Sequence, residues 1–288
     1  MKHFLDKYKG LLRGKKIAIT GSTGGIGIEL CRLLGREGAE LILVDRNEKK
    51  QQSLISMLLK EQPSLAVDGI LADMEDIASV KSATDKLKNI GIDYLILNAG
   101  AYSIPRHRTS LSYDNVFQIN FISPYYMARE LVASVKSRGG RIVAVGSIAH
   151  GYSHTDGDDV DFSNRKKASL VYGNAKRYLM YSLLRLKEKG EPIEIAHPGI
   201  TFTGITAHYP PFIFAIIKYP MKIIFMKPRK ACLSIYAALL DNTRAYSWLG
   251  PRLFDVWGLP KSKILRTAKT SEIEYIDRTA NEIYDKIK

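Results

Sequence analysis

Tyr172 and Lys176, in the run Tyr172-Gly173-Asn174-Ala175-Lys176, have the types and spacing for proton transfer. On a helix, residues four apart lie about 40° apart around the axis and share a face. A lysine ammonium beside a phenol stabilises the phenolate and lowers its pKa from about 10 toward the working range. Such a tyrosine can exchange a proton with an alcohol or carbonyl oxygen while a hydride moves at the adjacent carbon. Alone, the pair is an ordinary helix-surface contact, and its meaning depends on its company.

Suitable company is present. Ser147 follows the strand-like run Arg141–Val145, and its hydroxyl can hydrogen-bond a substrate oxygen. Asn98-Ala99-Gly100 ends the run Asp93–Leu97 at the same edge, where open α/β sheets bind ligands. Asn120 falls inside a long helical stretch, an awkward place for asparagine unless its amide has work to do. The turn from His197 through Pro198, Gly199, Ile200 and Thr201 to Thr203 follows a later strand.

A second constellation binds rather than reacts. Thr20-Gly21-Ser22-Thr23-Gly24-Gly25-Ile26-Gly27 sits between an apolar run and a helical one. Glycines there permit a tight turn and let backbone amides approach a pyrophosphate at the helix N-terminus. Asp45, about 20 residues on, can accept hydrogen bonds from an adenosine ribose. Asp73, followed by Met74, ends the third strand near the expected adenine. Either acid also suits an ordinary strand-end turn.

The elements that must position these groups alternate regularly. Strands are predicted at Lys16–Thr20, Glu40–Val44, Val67–Ala72, Asp93–Leu97, Arg141–Val145 and Ile193–His197. Helices are predicted at Ile26–Arg36, Asn47–Lys60, Asp76–Lys88 and Tyr113–Lys136. The strands are nearly continuous apolar runs, as in a mostly parallel sheet covered by helices on both faces. The prediction is a doubly wound α/β fold in one domain over 1–288, with no internal repeat. Trp257-Gly258 falls near a seventh strand, and a helical extension spans about 260–288, amphipathic from Asp277.

Composition narrows the class. With 45% apolar and 25% charged residues, the 288-residue chain can bury a core. Two distant cysteines exclude a disulfide scaffold and fit a reducing compartment. No signal-like N-terminus or run of roughly 18 apolar residues occurs, which fits a cytoplasmic protein, peripheral to a membrane at most. The net charge of +14 raises nucleic acid, but no zinc-finger, helix-turn-helix or RNA-recognition signature accompanies it.

Taken in order, Gly21/Gly25/Gly27, Asn98-Ala99-Gly100, Asn120, Ser147, Tyr172/Lys176 and Pro198-Gly199 with Thr203 resemble the short-chain dehydrogenase/reductase family from about Lys15 to Thr203. The resemblance implies a Rossmann-like sheet and an NAD(P)-dependent alcohol/carbonyl oxidoreductase. It implies Tyr172 as acid/base, Lys176 on the ribose hydroxyls, Ser147 orienting substrate, and Asn120 supporting a relay water. Cofactor contacts would come from Gly21, Ser22, Thr23, Gly25, Ile26, Gly27, Asp45, Arg46, Asp73, Met74, Asn98, Ala99, Gly100, Tyr172, Lys176, Pro198, Gly199, Ile200 and Thr203, the last at the carboxamide. A catalytically silent redox sensor on the same fold is the alternative.

Residues 148–171, 24 in all, separate Ser147 from Tyr172, a long gap that resembles the retinol-dehydrogenase-like branch and points to a lipophilic substrate. The insert's Asp156, Asp158, Asp159, Asp161, Arg165, Lys166 and Lys167 equally suit a solvated loop. His150 and His154 lack metal-ligand spacing. Asp45 favours NAD(H) over NADP(H), although Arg46 beside it can pair with a 2′-phosphate. From Ile195 to Leu240 there is no acidic residue, while Tyr209–Ile217 and Ile223–Met226 are apolar between lysines. Residues 203–230 read as a substrate lid, as a membrane contact through 209–230, or as plain packing. Homo-oligomers are expected on family grounds.

Overall fold

The computed structural model describes residues 2–199 and 226–288. One eight-stranded sheet runs through them in the order β3-β2-β1-β4-β5-β6-β7-β8. The strands are β1 Lys16–Thr20, β2 Glu40–Asp45, β3 Val67–Leu71, β4 Tyr94–Leu97, β5 Arg141–Val145, β6 Ile193–Ala196, β7 Ser247–Leu253 and β8 Trp257–Ile264. All pairings are parallel except β7 with β8. The chain order reverses between β1 and β4, which opens a crevice at their C-terminal ends.

Helices cover both faces. They are α1 Lys2–Asp6, α2 Gly25–Arg36, α3 Glu48–Glu61, α4 Ile77–Ile90, α5 Asn115–Phe117, α6 Ser123–Ser137, α7 Ala168–Glu188, α8 Pro228–Leu240 and α9 Thr270–Ile287. Strand alternation sorts the core into two layers. Ile17 and Ile19 of β1 pack with Leu30 and Leu34 of α2 and Ile235 and Leu239 of α8. Ala18 packs with Val80 of α4, Leu131 of α6, Leu179 of α7 and Ile283 of α9. That is the expected doubly wound fold. Every strand named from the sequence is present within a residue or so at each end.

Three expectations need correction. The helix predicted over Tyr113–Lys136 is not continuous: α5 passes through a π-turn at Gln118–Ile122 into α6. Pro124 has no N–H to donate to the Asn120 carbonyl four residues back, so the regular ladder cannot run through this point. At the C-terminus, residues 260–264 belong to β8, and α9 begins only at Thr270. The 150–170 insert is solvated only in part, with Asp158, Arg165, Lys166 and Lys167 exposed. Asp159 and Asp161 are buried, and the insert is pinned to the chain before α5. Arg108 pairs with Asp161 at 2.9 Å, and Arg106 donates to the Phe162 carbonyl at 2.8 Å and pairs with Asp114 at 2.8 Å.

The lid or membrane segment proposed from about 203 lies outside the described residues up to 225. No described helix is long and apolar enough to cross a membrane, and no described cluster of His, Cys, Asp or Glu suits a metal.

Candidate active site

The glycine loop is shaped by close backbone approaches. Gly21 has φ +65°, and a Cβ there would lie 2.8 Å from the Ala99 Cα. A Cβ on Gly27 would lie 2.5 Å from the Gly21 carbonyl oxygen. Asn98 locks the loop from β4: its Nδ2 donates to the carbonyls of Thr20 (3.0 Å) and Gly21 (2.9 Å). The Thr20 hydroxyl accepts from the Asn98 and Ala99 amides, each at 3.0 Å. No side chain caps α2 at Gly24, so its first-turn amides are left for a ligand.

Those amides border a cleft of about 510 Å³. Gly21, Thr23, Gly25, Ile26, Gly27, Asp45, Arg46, Asp73, Met74, Asn98, Ala99 and Gly100 line it. A glycine cradle with unpaired helix amides fits the pyrophosphate of a dinucleotide. Asn47, Lys50, Tyr102 and Ile104 also line the cleft and were not foreseen. Asn47 reads in sequence only as a helix cap, which it also is, accepting from the Lys50 amide at 2.9 Å.

Several expected contacts sit otherwise. Ser22 is fully buried beneath the loop, outside the cleft, with its hydroxyl donating to Asp45. Asp45 also accepts from the Thr23 amide (3.0 Å) and hydroxyl (2.9 Å), so its buried carboxylate already braces the loop. Asp73 makes a turn contact, accepting from the Glu75 amide at 3.0 Å. Pro198 and Gly199 are buried and are not among the lining residues; Gly199, with φ +83°, sits against Pro251 and Val256. Ile200 and Thr203 lie outside the described residues.

Beyond Gly100 the cleft meets the reactive groups. Tyr102 packs edge-on against the Tyr172 ring, 5.3 Å between centroids. Gly173 lets α7 approach the 3₁₀ turn Ile148–Tyr152, since a Cβ there would lie 2.4 Å from the Ala149 carbonyl oxygen. That contact brings Ser147, the cap of the turn, to Tyr172. The Ser147 hydroxyl accepts from the Ala149 amide at 3.2 Å, which leaves its proton free to be donated. Lys176 is buried and donates to the Val145 carbonyl at 2.9 Å.

Asn120 finds its work at the π-turn. Its side chain donates to the carbonyls of Ala101 and Val116, both at 2.8 Å, and accepts from the Ala101 amide at 3.2 Å. It thereby clamps the chain after β4 beside the glycine loop. A Cβ on Gly100 would meet the Asn120 oxygen at 2.8 Å and the Lys176 ammonium at 3.6 Å, so the three converge.

One electrostatic expectation is reversed. Tyr172 is pushed up to about 12, mainly by burial, with a Ser147 hydrogen bond opposing. Burial pushes Lys176 down to about 8. Its ammonium is 5.8 Å from the Tyr172 ring centroid and directed at a backbone carbonyl, so it does not offset the desolvation of the phenol.

Sequence reasoning also missed Arg177, next to Lys176. It is fully buried and ties α7 to the His150 carbonyl at 2.9 Å and to Glu272 of α9. Nothing local distinguishes it from a solvated helix arginine.

Residues 15–156 match the short chain dehydrogenase family model. A chloroplastic short-chain dehydrogenase of Brassica napus, TIC 32 A, is 33% identical over 207 residues, 66% of this chain; the chain spans 65% of that relative's length. Human polyprenol dehydrogenase is 26% identical over 246 residues, 79% of this chain and 73% of its own. Human retinol dehydrogenase 13 is 27% identical over 208 residues, 69% of this chain and 63% of its own. A crystal structure of an uncharacterized protein from Mycobacterium Paratuberculosis shares the fold, with a TM-score of 0.71 at 22% identity over 96% of this chain and 97% of that one. With the glycine cradle, the Asn98-Ala99-Gly100 corner and the Ser147/Tyr172/Lys176 group in one crevice, these matches settle its lineage: the chain belongs to the short-chain dehydrogenase/reductase family.

Proposed function

We propose that the protein interconverts an alcohol and its carbonyl compound on a small lipophilic molecule, with a nicotinamide dinucleotide as hydride carrier. The observation that carries this reading is the meeting of Tyr172, Ser147, Lys176 and Asn120 at the inner end of the glycine-loop cleft. When bound, the cofactor supplies or accepts the hydride. Tyr172 gives a proton to the substrate oxygen during reduction and takes it back during oxidation. Ser147 donates to the same oxygen and fixes its position. Lys176, still largely protonated at neutral pH, holds the ribose hydroxyls. Because the Asn120 amide is engaged by Ala101 and Val116, any part it takes in a proton relay falls to its backbone carbonyl.

For the cofactor, the case for NAD(H) rested on a free carboxylate at Asp45. That carboxylate is buried and held by Ser22 and Thr23, whereas Arg46, 66% exposed and 3.8 Å from Glu75, lines the cleft together with Lys50. Two cations at the ribose end suit a 2′-phosphate, so the reading here is NADP(H). The lipophilic class draws on Tyr102, Ile104 and Ile119 in the lining and on two relatives named for polyprenol and retinol.

Fluorescence titration with NADPH and NADH, followed by a screen of long-chain alcohols and ketones against sugars, tests these points. Tyr172→Phe should lower kcat by about 10² to 10⁴ with cofactor affinity nearly unchanged. Strong residual turnover would remove Tyr172 from the acid/base role. Arg46→Ala should weaken NADPH about tenfold and leave NADH unaffected; an equal effect on both would reject the phosphate contact.

A further inference from the structure

The β7–β8 hairpin carries an aromatic side chain where neither local conformation nor packing favours one. Phe254 and Asp255 occupy the turn between the strands with φ of +51° and +56°, closed by the Val256 amide donating to the Leu253 carbonyl at 3.0 Å. Such left-handed turn positions are normally filled by Asn and Gly, and a bulky residue there is strained. Phe254 gains nothing in return from the fold, since it is 85% exposed.

Its neighbours extend the same surface. Leu253 stands directly opposite Trp257 in the strand pairing, and Leu259, two residues on, shares the Trp257 face. These three are 53%, 40% and 46% exposed. Behind this apolar tip stand the exposed cations Arg252 and Lys261, the latter two residues past Leu259 on the same strand face. The one acid in the hairpin, Asp255, is neutralised by Lys263 at 2.7 Å. Residues 200–225 contain no Asp or Glu that could pair with the two cations.

We propose that this hairpin docks the protein onto an anionic lipid surface, with Phe254, Leu253, Trp257 and Leu259 entering the headgroup–acyl boundary and Arg252 and Lys261 at the phosphates. The order of an apolar tip followed by a cationic collar matches the polarity gradient of such an interface. A second copy of the chain is a poorer occupant. A two-fold contact through this tip would bring each collar against its own image, in a molecule of net charge +14. Pairing along the β8 edge is opposed by Pro260 and Lys261, which blunt a strand edge. The inference is independent of the reaction: lipid binding needs neither cofactor nor turnover. The hairpin is tied to the end of β6, because the Asp255 carbonyl contacts His197 Nε2 at 3.1 Å.

The chain has two tryptophans, and Trp248 is buried, so Trp257 alone can meet a bilayer. The full chain is mixed with vesicles of phosphatidylcholine, with or without phosphatidylserine, some containing brominated acyl chains. Binding to the serine-containing vesicles with bromine quenching of Trp257 is expected. Phe254→Ser with Leu259→Ser, and separately Arg252→Glu with Lys261→Glu, should each weaken binding about tenfold or more. The charge-matched Lys49→Glu with Lys60→Glu should not do so beyond about twofold. All substituted positions are exposed, and circular dichroism checks that each variant is folded. No binding, or binding indifferent to the tip, overturns the proposal. So does sedimentation showing an oligomer in the parent that the Phe254→Ser and Leu259→Ser variant breaks apart.

Discussion

Arg177 and Glu272 form a two-pronged ion pair, with Nε donating to one carboxylate oxygen at 2.7 Å and an outer nitrogen to the other at 2.6 Å. The guanidinium is fully buried and also donates to the carbonyls of His150 (2.9 Å) and Thr267 (2.6 Å). Three pieces of chain therefore meet on one side chain: the helix of Tyr172 and Lys176, the turn that begins at Ser147, and the approach to α9. Removing Glu272 strands a buried cation. Glu272→Ala should cost about 3 kcal/mol in urea unfolding, whereas Glu272→Gln, which keeps one acceptor, should cost less. A loss under about 0.5 kcal/mol for the alanine variant would show that water replaces the carboxylate.

The same pair has a pH signature. Burial alone would raise the Glu272 carboxyl, but Arg177 and Thr155 together hold it below its ordinary value of 4.5. The unfolded chain therefore takes up this proton first as pH falls. The pair's stabilisation is complete above about pH 4.5 and is lost as pH drops through the lower, folded value. Part of the acid limb of a stability–pH curve should disappear in Glu272→Gln.

Lys176 gives a slope of the same sign at higher pH, from the cost of a buried charge rather than the gain of an ion pair. Its folded value of about 8 lies below its ordinary 10.5, so between those limits the unfolded chain holds a proton that the folded one has released. Stability should climb with pH across that window, and below pH 8 the buried charge costs about 3 kcal/mol. Lys176→Met removes that cost and loses one hydrogen bond to Val145, worth about 1 kcal/mol. The variant should be about 2 kcal/mol more stable than its parent at pH 7, yet inactive. Urea unfolding at pH 7 and pH 9 checks both the gain and its decline.

His197 is a second buried base whose titration burial displaces. It stacks on Trp248 at 4.8 Å, and burial pushes it down to about 4 from 6.5. It is neutral in the folded protein, so its contribution is full above pH 6.5 and fades as pH falls toward 4, a span of about 3 kcal/mol. His197→Gln should flatten that part of the curve; an unchanged slope would assign it to His150, which burial also lowers.

Two neighbouring glycines should respond differently to alanine. At Gly27 the added methyl meets backbone at 2.5 Å and 2.6 Å, while at Gly24 it reaches only 3.4 Å. Gly27→Ala should lose about 1–3 kcal/mol and more than tenfold in cofactor affinity, and Gly24→Ala should lose under about 1 kcal/mol. Equal effects at the two positions would mean that the loop yields as a unit.

What the sequence determined by itself was local, or repeated locally. The apolar runs of β1 to β6 each carry their own signal, because a strand buried on both faces must be apolar throughout. The glycines before α2 and the Tyr172/Lys176 spacing are likewise legible, since turn geometry and helical period act over a few residues. Asn120 was marked by its unsuitability for a helix, although not as the clamp on Ala101. Tertiary structure alone decided which way side chains turn and whom they meet. Asp45 sits where a ribose contact would stand, yet its carboxylate bonds to the loop 22 and 23 residues before it. Arg177 finds Glu272 across 95 residues, and Phe254 is exposed because a strand pairing places it at the hairpin tip. Such pairings depend on how distant elements pack, and no short window of sequence carries that information.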